Sequence, residues 1–511
     1  MFLTDWEKTP TFASCKSGDC GLWADAWAAG QSPFGETAGP LWGDARRGLL
    51  QDMIYIYIIR YKGLGKQRDN YTFLTTGPIH RVILTMALPT IVSMLVTNLY
   101  NIADTFFVGK LNTASTAAVG VVFTLMFFFQ ATGFFFGHGS GNYISAELGA
   151  RRHDNASRMA STGFVYSFLC GVVFAVLGLV FLEPLSVWLG STPTILPYTK
   201  RYLGVSLLGV PFITSSLTLN NQMRFQGNAS KSMLGIVTGA LLNVALDPLF
   251  IFVFDMGVTG AALASVVGQV CGFLVLLHMS GQPGNIPIRL RLFTPTKSLF
   301  REIFYGGSPS LNRQGLAAFS TLMLNIAAGA YGDAAIAAMT IVNRISMFVL
   351  AVVIGTGQGF QPFCGFCYGA KLYDRMKRGY WFAMKVSFWF LVAASAVCLL
   401  FSHDAIRIFR DDPAVIKIGI EALRLQLLTW PLGAVIVVSN MLLQTCRQPL
   451  RANLVAAARS GLFFIPLILI LPRVFGLLGV EMCQAVSDVC SVLLAYPVAA
   501  GFLRKLDKQK I

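Results

Sequence analysis

Gly137, Gly139, Gly149, Ala150, Asp154 and Arg158 recur, in order and without a gap, as Gly357, Gly359, Gly369, Ala370, Asp374 and Arg378, each 220 positions on. The same offset carries Leu207, Leu208, Pro211 and Asn220 onto Leu427, Leu428, Pro431 and Asn440. With one residue dropped, Gly257, Gly260, Val267 and Cys271 fall onto Gly476, Gly479, Val486 and Cys490. A chain duplicated in this way folds as two copies of one unit. A unit made mostly of apolar segments is how many secondary transporters are built.

These segments are too apolar for water. Charged residues make up 13% of the chain and hydrophobic ones 55%, against roughly 25% charged in ordinary soluble domains. About 20 apolar residues cross the hydrocarbon layer as a helix. Twelve such windows are read at 82–109, 113–147, 159–188, 200–225, 233–254, 257–278, 303–328, 334–368, 380–402, 416–443, 453–472 and 476–503. The expected fold is an all-α membrane protein with twelve transmembrane helices in two pseudo-symmetric six-helix lobes. Six spans per copy is an even number, so the second copy enters the membrane from the same side as the first and the internal repeat is parallel. Residues 75–285 form the N-lobe and 286–511 the C-lobe, preceded by a poorly ordered extension over 1–74.

The net charge of +16 does not point to nucleic acid, because the basic residues gather in alternate inter-span segments. One set holds Arg151, Arg152, Arg158, Arg224, Lys231, Arg289, Arg291, Lys297, Arg301, Lys371, Arg375, Lys377, Arg378, Arg447, Arg451, Arg504, Lys505, Lys508 and Lys510. The opposite set is sparse: Lys110, Lys200, Arg201, Arg407, Arg410, Lys417 and Arg473. By the positive-inside rule the first set is cytoplasmic, as are both ends of the core. The ten cysteines lie mostly singly within spans, where a thiol packs as a small apolar group. Cys364 and Cys367 lack a second pair at zinc spacing and read as helix packing. The opening MFLTDWEKTP is no secretory signal, and residues 1–70 are expected to be an extension or an over-long start. N-terminal sequencing that recovers Met1 from the native protein excludes the second version.

Carboxylates inside spans are costly in hydrocarbon and tend to face internal cavities and serve function. Asp104 in the first span (NLYNIADTFFVG) and Asp247 in the fifth (LLNVALDPLFIF) stand among apolar neighbours. Asn243 lies one turn before Asp247 on the same helical face. Pro248 has no N–H to donate, so it frees carbonyls near residue 244. Ser265 adds a hydroxyl in the sixth span. The repeat does not copy this set, since positions 324 and 467 are leucines, and ion chemistry is expected to concentrate in the first half. The rows GHGSG and GTGQG follow no strand, so they read as close helix contacts and not phosphate loops. Three consecutive phenylalanines, twice in the second span, wrap most of a helix, so about half of those rings face lipid or neighbouring helices. His138 reads as a packing residue.

The segments LPTIVSMLVTNLYNIADTFFVGKL, LNVALDPLFIF with GVTGAALAS, RFQGNAS, and GQGFQPFCGFCYGAK with Arg375 resemble the multidrug and toxic compound extrusion (MATE) family, in its bacterial branch. The resemblance covers residues 75–503. It implies an exporter of amphipathic, often cationic compounds, driven by inward Na+ or H+, in the bacterial inner membrane. Asp104 matches that family's first-span aspartate, and Asn243 and Asp247 its fifth-span pair. Ser265 stands where a threonine is frequent, and Cys367 departs from the usual asparagine. Asp104, Asn243 and Asp247 are thus the candidate Na+ ligands, with Ser265 beside them for cation or proton coupling. Polar residues elsewhere within spans, Asn101, Gln130, Asn220, Gln314 and Asn440, are candidate substrate contacts. No cofactor is implied beyond the coupling ion, Na+ or H+. The expected partners are small amphipathic organic cations or drugs and the lipid bilayer, without nucleic acid, and the working form is a monomer.

Two rival readings are weaker. A flippase for lipid-linked oligosaccharides needs internal arginines for pyrophosphate, and Arg313, Arg344, Arg424 and Arg459 are the available ones. A membrane-embedded enzyme lacks motifs: Asp411 and Asp412 are the only adjacent acids, and no nucleophile elbow or zinc-protease pattern occurs.

Overall fold

The computed structural model describes residues 70–508, and those residues are helical with no β-strand among them. A short helix α1 (Asn70–Thr76) precedes the N-lobe spans α2 (Ile79–Gly109), α3 (Thr113–Gly149), α4 (His153–Val180), α6 (Leu196–Phe225), α7 (Ala229–Pro248) and α8 (Gly257–Ser280), with α5 (Leu182–Trp188) between α4 and α6. The C-lobe follows with α9 (Lys297–Gly329), α10 (Asp333–Gly369) and α11 (Tyr373–Leu400), then the short α12 (Ser402–Arg407). Its tenth span is α13 (Pro413–Thr429) continued by α14 (Gly433–Thr445), its eleventh α15 (Pro449–Ala457) continued by α16 (Phe464–Phe475), and its last α17 (Leu477–Lys508). Eleven of these spans are long and apolar enough to cross a membrane. The twelfth, α9, is 33 residues long and carries Arg301, Glu302 and Arg313. The resulting twelve-span, two-lobe layout is the one the repeat dictates.

Most expected windows coincide with a helix. The third differs most: the window at 159–188 becomes a helix that begins at His153 and ends at Val180. Apolar windows measure the lipid layer, whereas a helix runs on into water as long as its hydrogen bonds hold. The charged first turns of α4 and α11, with Asp154 and Asp374 at their N-termini, continue outside the layer for that reason. Of the extension expected over 1–74, residues 1–69 lie outside the described residues. Asn70–Leu74 are part of α1, and the Leu74 side chain is fully buried.

The repeat extends to backbone detail. Arg151 and Lys371, 220 apart, both take φ of 59°, and Gly227 and Arg447, also 220 apart, are both left-handed. Asn220 donates to Ser232 O at 2.8 Å, and its counterpart Asn440 to Ala452 O at 2.8 Å. These two amides are consumed in tying the fourth span of each lobe to the fifth.

Glycines let the lobes meet. Gly139 lies against the Ile303 backbone, Gly149 against Phe366, Gly355 against Ile91, Gly359 against Ala87 and Gly369 against Ala146. All these contacts fall toward the end of the bundle that carries the dense basic set, whereas Gly109, Gly120 and Gly315 have open space where a side chain would be. The same end holds ion and hydrogen-bond links between lobes. Arg447 lies 3.6 Å from Glu147, and Arg375 donates to Leu74 O at 3.2 Å and to Gly77 O. A methyl on Gly359 would collide with the Ala87 backbone, so Gly359→Ala is expected to disfavour this joined state by about 1–3 kcal/mol. Single-cysteine labelling at the basic end should rise about fivefold or more in that variant, and unchanged labelling would contradict this reading of the interface.

Candidate functional site

Asp247 sits at the last turn of α7. The following Pro248 cannot donate, and the helix passes into a π-turn over Leu249–Val253, the kind of irregularity that recurs at functional sites. The Asp247 side chain is fully buried, and both its carboxylate oxygens lack a hydrogen-bond partner. One turn earlier Asn243, 3% exposed, donates through Nδ2 to Ser265 Oγ at 3.1 Å, while its Oδ1 is unpartnered. Asp104 on α2 is half-buried with an unpartnered Oδ1. Helix α2 packs against α7, so Asp104 and Asp247 stand on neighbouring spans of the N-lobe. The expected quartet stands on three packed spans of one lobe, α2, α7 and α8, with Asn243 and Ser265 in direct contact. The neighbouring Thr105 hydroxyl donates to Asn101 O at 2.8 Å and leaves Asp104 without that partner.

Four acceptor oxygens with no donor are costly in a low-dielectric interior. The helices carrying them are held unusually close. Gly239 and Gly268 face each other so that a Cβ on either would lie 2.7 Å from the other's carbonyl oxygen, and Gly235 faces Gly272 in the same way. This small-residue seam, with i, i+4 spacing on α7, sets the Asn243–Ser265 contact. Gly268→Ala is accordingly expected to part α7 from α8, and transport should fall by roughly tenfold while expression holds. Wild-type efflux in that variant would show that the seam does not set the site.

A cavity of about 90 Å3, large enough for waters, is lined by two of the four residues, Asn243 and Ser265, with Tyr100, Gln130, Ser216 and Gln269 among others, whereas the carboxylates of Asp104 and Asp247 stand outside its lining. Of the candidate substrate contacts, Gln130 lines this cavity. Asn101 and Gln314 are half-buried on α2 and α9. Asn220 and Asn440 are buried and bonded between helices, and Asn440 also accepts from Arg313 at 2.9 Å.

Sequence reasoning missed several polar groups. Tyr100, one turn before Asp104, was legible from spacing alone, whereas Tyr202 and Gln269 were not. Arg224, expected with the basic inter-span set, is 1% exposed inside α6. It donates to Asn221 Oδ1 and across the lobe interface to Gln358 Oε1. Its Nη2 faces His138 Nε2 at 3.3 Å, while His138 Nδ1 lies 3.1 Å from Phe134 O. That geometry assigns the proton to Nδ1 and makes His138 a bonded packing residue. Glu481 in α17 is 1% exposed with an unpartnered Oε2, and Asp488 is bound to Arg459 at 2.8 Å. Buried acids therefore occur in the second half as well, where the repeat places Ala262 and Gln269 in the first. Cys364 packs 3.7 Å from Cys446, and the described cysteines are free thiols.

A two-lobed bundle of membrane-crossing helices with orphaned acids inside one lobe is the architecture of a multi-pass membrane transporter. The MatE family pattern matches residues 89–249 and again 309–470, one match per repeat, and the chain belongs to that family. Among relatives, the multidrug export protein MepA of Staphylococcus haemolyticus (strain JCSC1435) is 26% identical over 86% of this chain and 97% of its own length. A crystal structure of MATE in complex with MaD3S superposes with a TM-score of 0.82 at 24% identity, covering 87% of this chain and all of that one. A structure described as the outward-facing conformation of a multidrug resistance MATE family transporter of the MOP superfamily also gives a TM-score of 0.82, at 25% identity and with the same coverage.

Proposed function

We propose that the protein is a cation-coupled multidrug exporter of the bacterial cytoplasmic membrane, with both ends of its core cytoplasmic. A cation enters at Asp104, Asn243 and Asp247 and drives the exit of an amphipathic or cationic compound. The observation that carries this reading is the set of orphaned oxygens at the quartet, an arrangement that a proton or a sodium ion completes. Two carboxylates, one amide oxygen and one hydroxyl form a hard donor set with charge for a monovalent cation. Among the described residues, no group of three His, Cys, Asp or Glu side chains forms a metal cluster. With the basic end inside, the glycine contacts close the bundle toward the cytoplasm, an outward-facing arrangement. Loading the quartet bends α2 at Pro89 and closes the cavity, which displaces the substrate to the outside. The lobes then rock toward the inward-open state that the loaded quartet favours by differential binding, with the protein working as a monomer.

The related flippase activity has less support. Of the arginines it requires, Arg459 is bound to Asp488, Arg313 donates to Asn440, and Arg424 is exposed. Dye efflux from proteoliposomes, with sodium and pH gradients imposed separately, tests the proposal. Efflux driven by one of the two gradients is expected, and efflux that ignores both would overturn it.

A further inference from the structure

A second cavity, of about 420 Å3, lies away from the quartet at the basic end, between α4 and the first turns of α9. Lys297 and Arg301, one turn apart on α9, form its rim, and both are exposed. The acid on the same turn, Glu302, points elsewhere, toward Arg447 at 3.7 Å. Below the rim the wall is aromatic. Phe300 and Phe304 are 45% and 50% exposed, and Tyr166 packs edge-on against Phe300 at 5.8 Å. Phe304 packs edge-on against Phe135 at 6.1 Å, continuing the wall toward the span interior. Two cations at the water boundary above exposed rings form an amphipathic groove with one polar end and one apolar end.

We propose that this groove is a binding site for an anionic phospholipid of the cytoplasmic leaflet, whose phosphate lies between Lys297 and Arg301 and whose acyl chain lies along Phe300 and Phe304. The charge complementarity is direct, since basic pockets between spans on the cytoplasmic side suit anionic headgroups. The apolar wall requires a chain, which a free phosphate lacks. The bound lipid would tie the start of α9 to α4 across the connection between the lobes, independently of the coupling ion.

The test uses the full-length protein, purified in detergent and stripped of lipid, with native mass spectrometry counting retained dioleoyl-phosphatidylglycerol against dioleoyl-phosphatidylcholine. Wild type is expected to retain the anionic lipid preferentially, and Lys297→Gln/Arg301→Gln to weaken that retention by roughly tenfold or more, as the loss of two surface cations implies. Arg504→Gln/Lys505→Gln, an exposed pair on α17, should retain it as wild type does. Phe300→Ala should weaken the dioleoyl lipid while leaving dihexanoyl-phosphatidylglycerol unaffected. Equal retention in wild type and Lys297→Gln/Arg301→Gln, or full displacement of the lipid by inorganic phosphate, would overturn the proposal.

Discussion

Asp247→Asn is expected to lower coupled efflux by about a hundredfold or more, to background, while the protein inserts and stays folded. The carboxylate it removes is fully buried and accepts no hydrogen bond. Such a group is expensive to keep, and replacing it with a neutral amide of the same shape removes that cost. The variant should therefore unfold at the same temperature as wild type or a higher one. What is lost is the negative charge that competes for a cation, so binding at the quartet falls by several kcal/mol in a site of low dielectric. Thermal unfolding in detergent and gradient-driven efflux, measured on one preparation, separate the two effects. A destabilised variant would make Asp247 a structural residue.

Arg459→Leu should behave in the opposite way. Both fifth spans contain a π-turn, Leu249–Val253 in the first repeat and Ala458–Leu462 in the second, and each turn has a buried acid nearby. In the second repeat the acid is satisfied. Asp488, 1% exposed, is bound by Arg459 at 2.8 Å and by Gln484 at 2.8 Å, and Ser487 donates to the Arg459 carbonyl at 2.7 Å. Removing the guanidinium leaves a buried carboxylate without its countercharge, a loss of about 3–5 kcal/mol. The expected result is a fall in unfolding temperature of several degrees, partly restored by the double change Arg459→Leu/Asp488→Leu. A double variant no more stable than the single one would show that the pair's charges are not what holds this part of the C-lobe.

These two acids also mark how far the sequence could be read. Asp104 and Asp247 are conspicuous because each breaks a long apolar run, and Asn243 follows from helical spacing. By the same rule Glu481 and Asp488 were equally visible, but the repeat directed attention to the counterparts of Asp104 and Asp247, and these acids fall instead opposite Ala262 and Gln269. Arg224 stood at the end of an apolar window, where a cation normally reaches the headgroups. The structure turns it inward to Gln358 and His138, a contact between lobes that no local pattern encodes. Tyr202 and Gln269 are neutral polar residues on otherwise apolar helices, a common occurrence with no signature of its own. The spans themselves were legible because apolar length is a local property. The pairing of Gly239 with Gly268 needed the packed bundle, since only there does each glycine find its partner.

Export is driven, in the proposed cycle, by entry of a cation held at the N-lobe oxygens. The most direct measurement follows cation entry and dye exit together in proteoliposomes, for wild type and for Asp104→Asn and Asp247→Asn. The prediction is that wild type moves the two in opposite directions at a fixed ratio and that both variants lose the linked movement. Cation entry and dye exit at the wild-type ratio in either variant would contradict it.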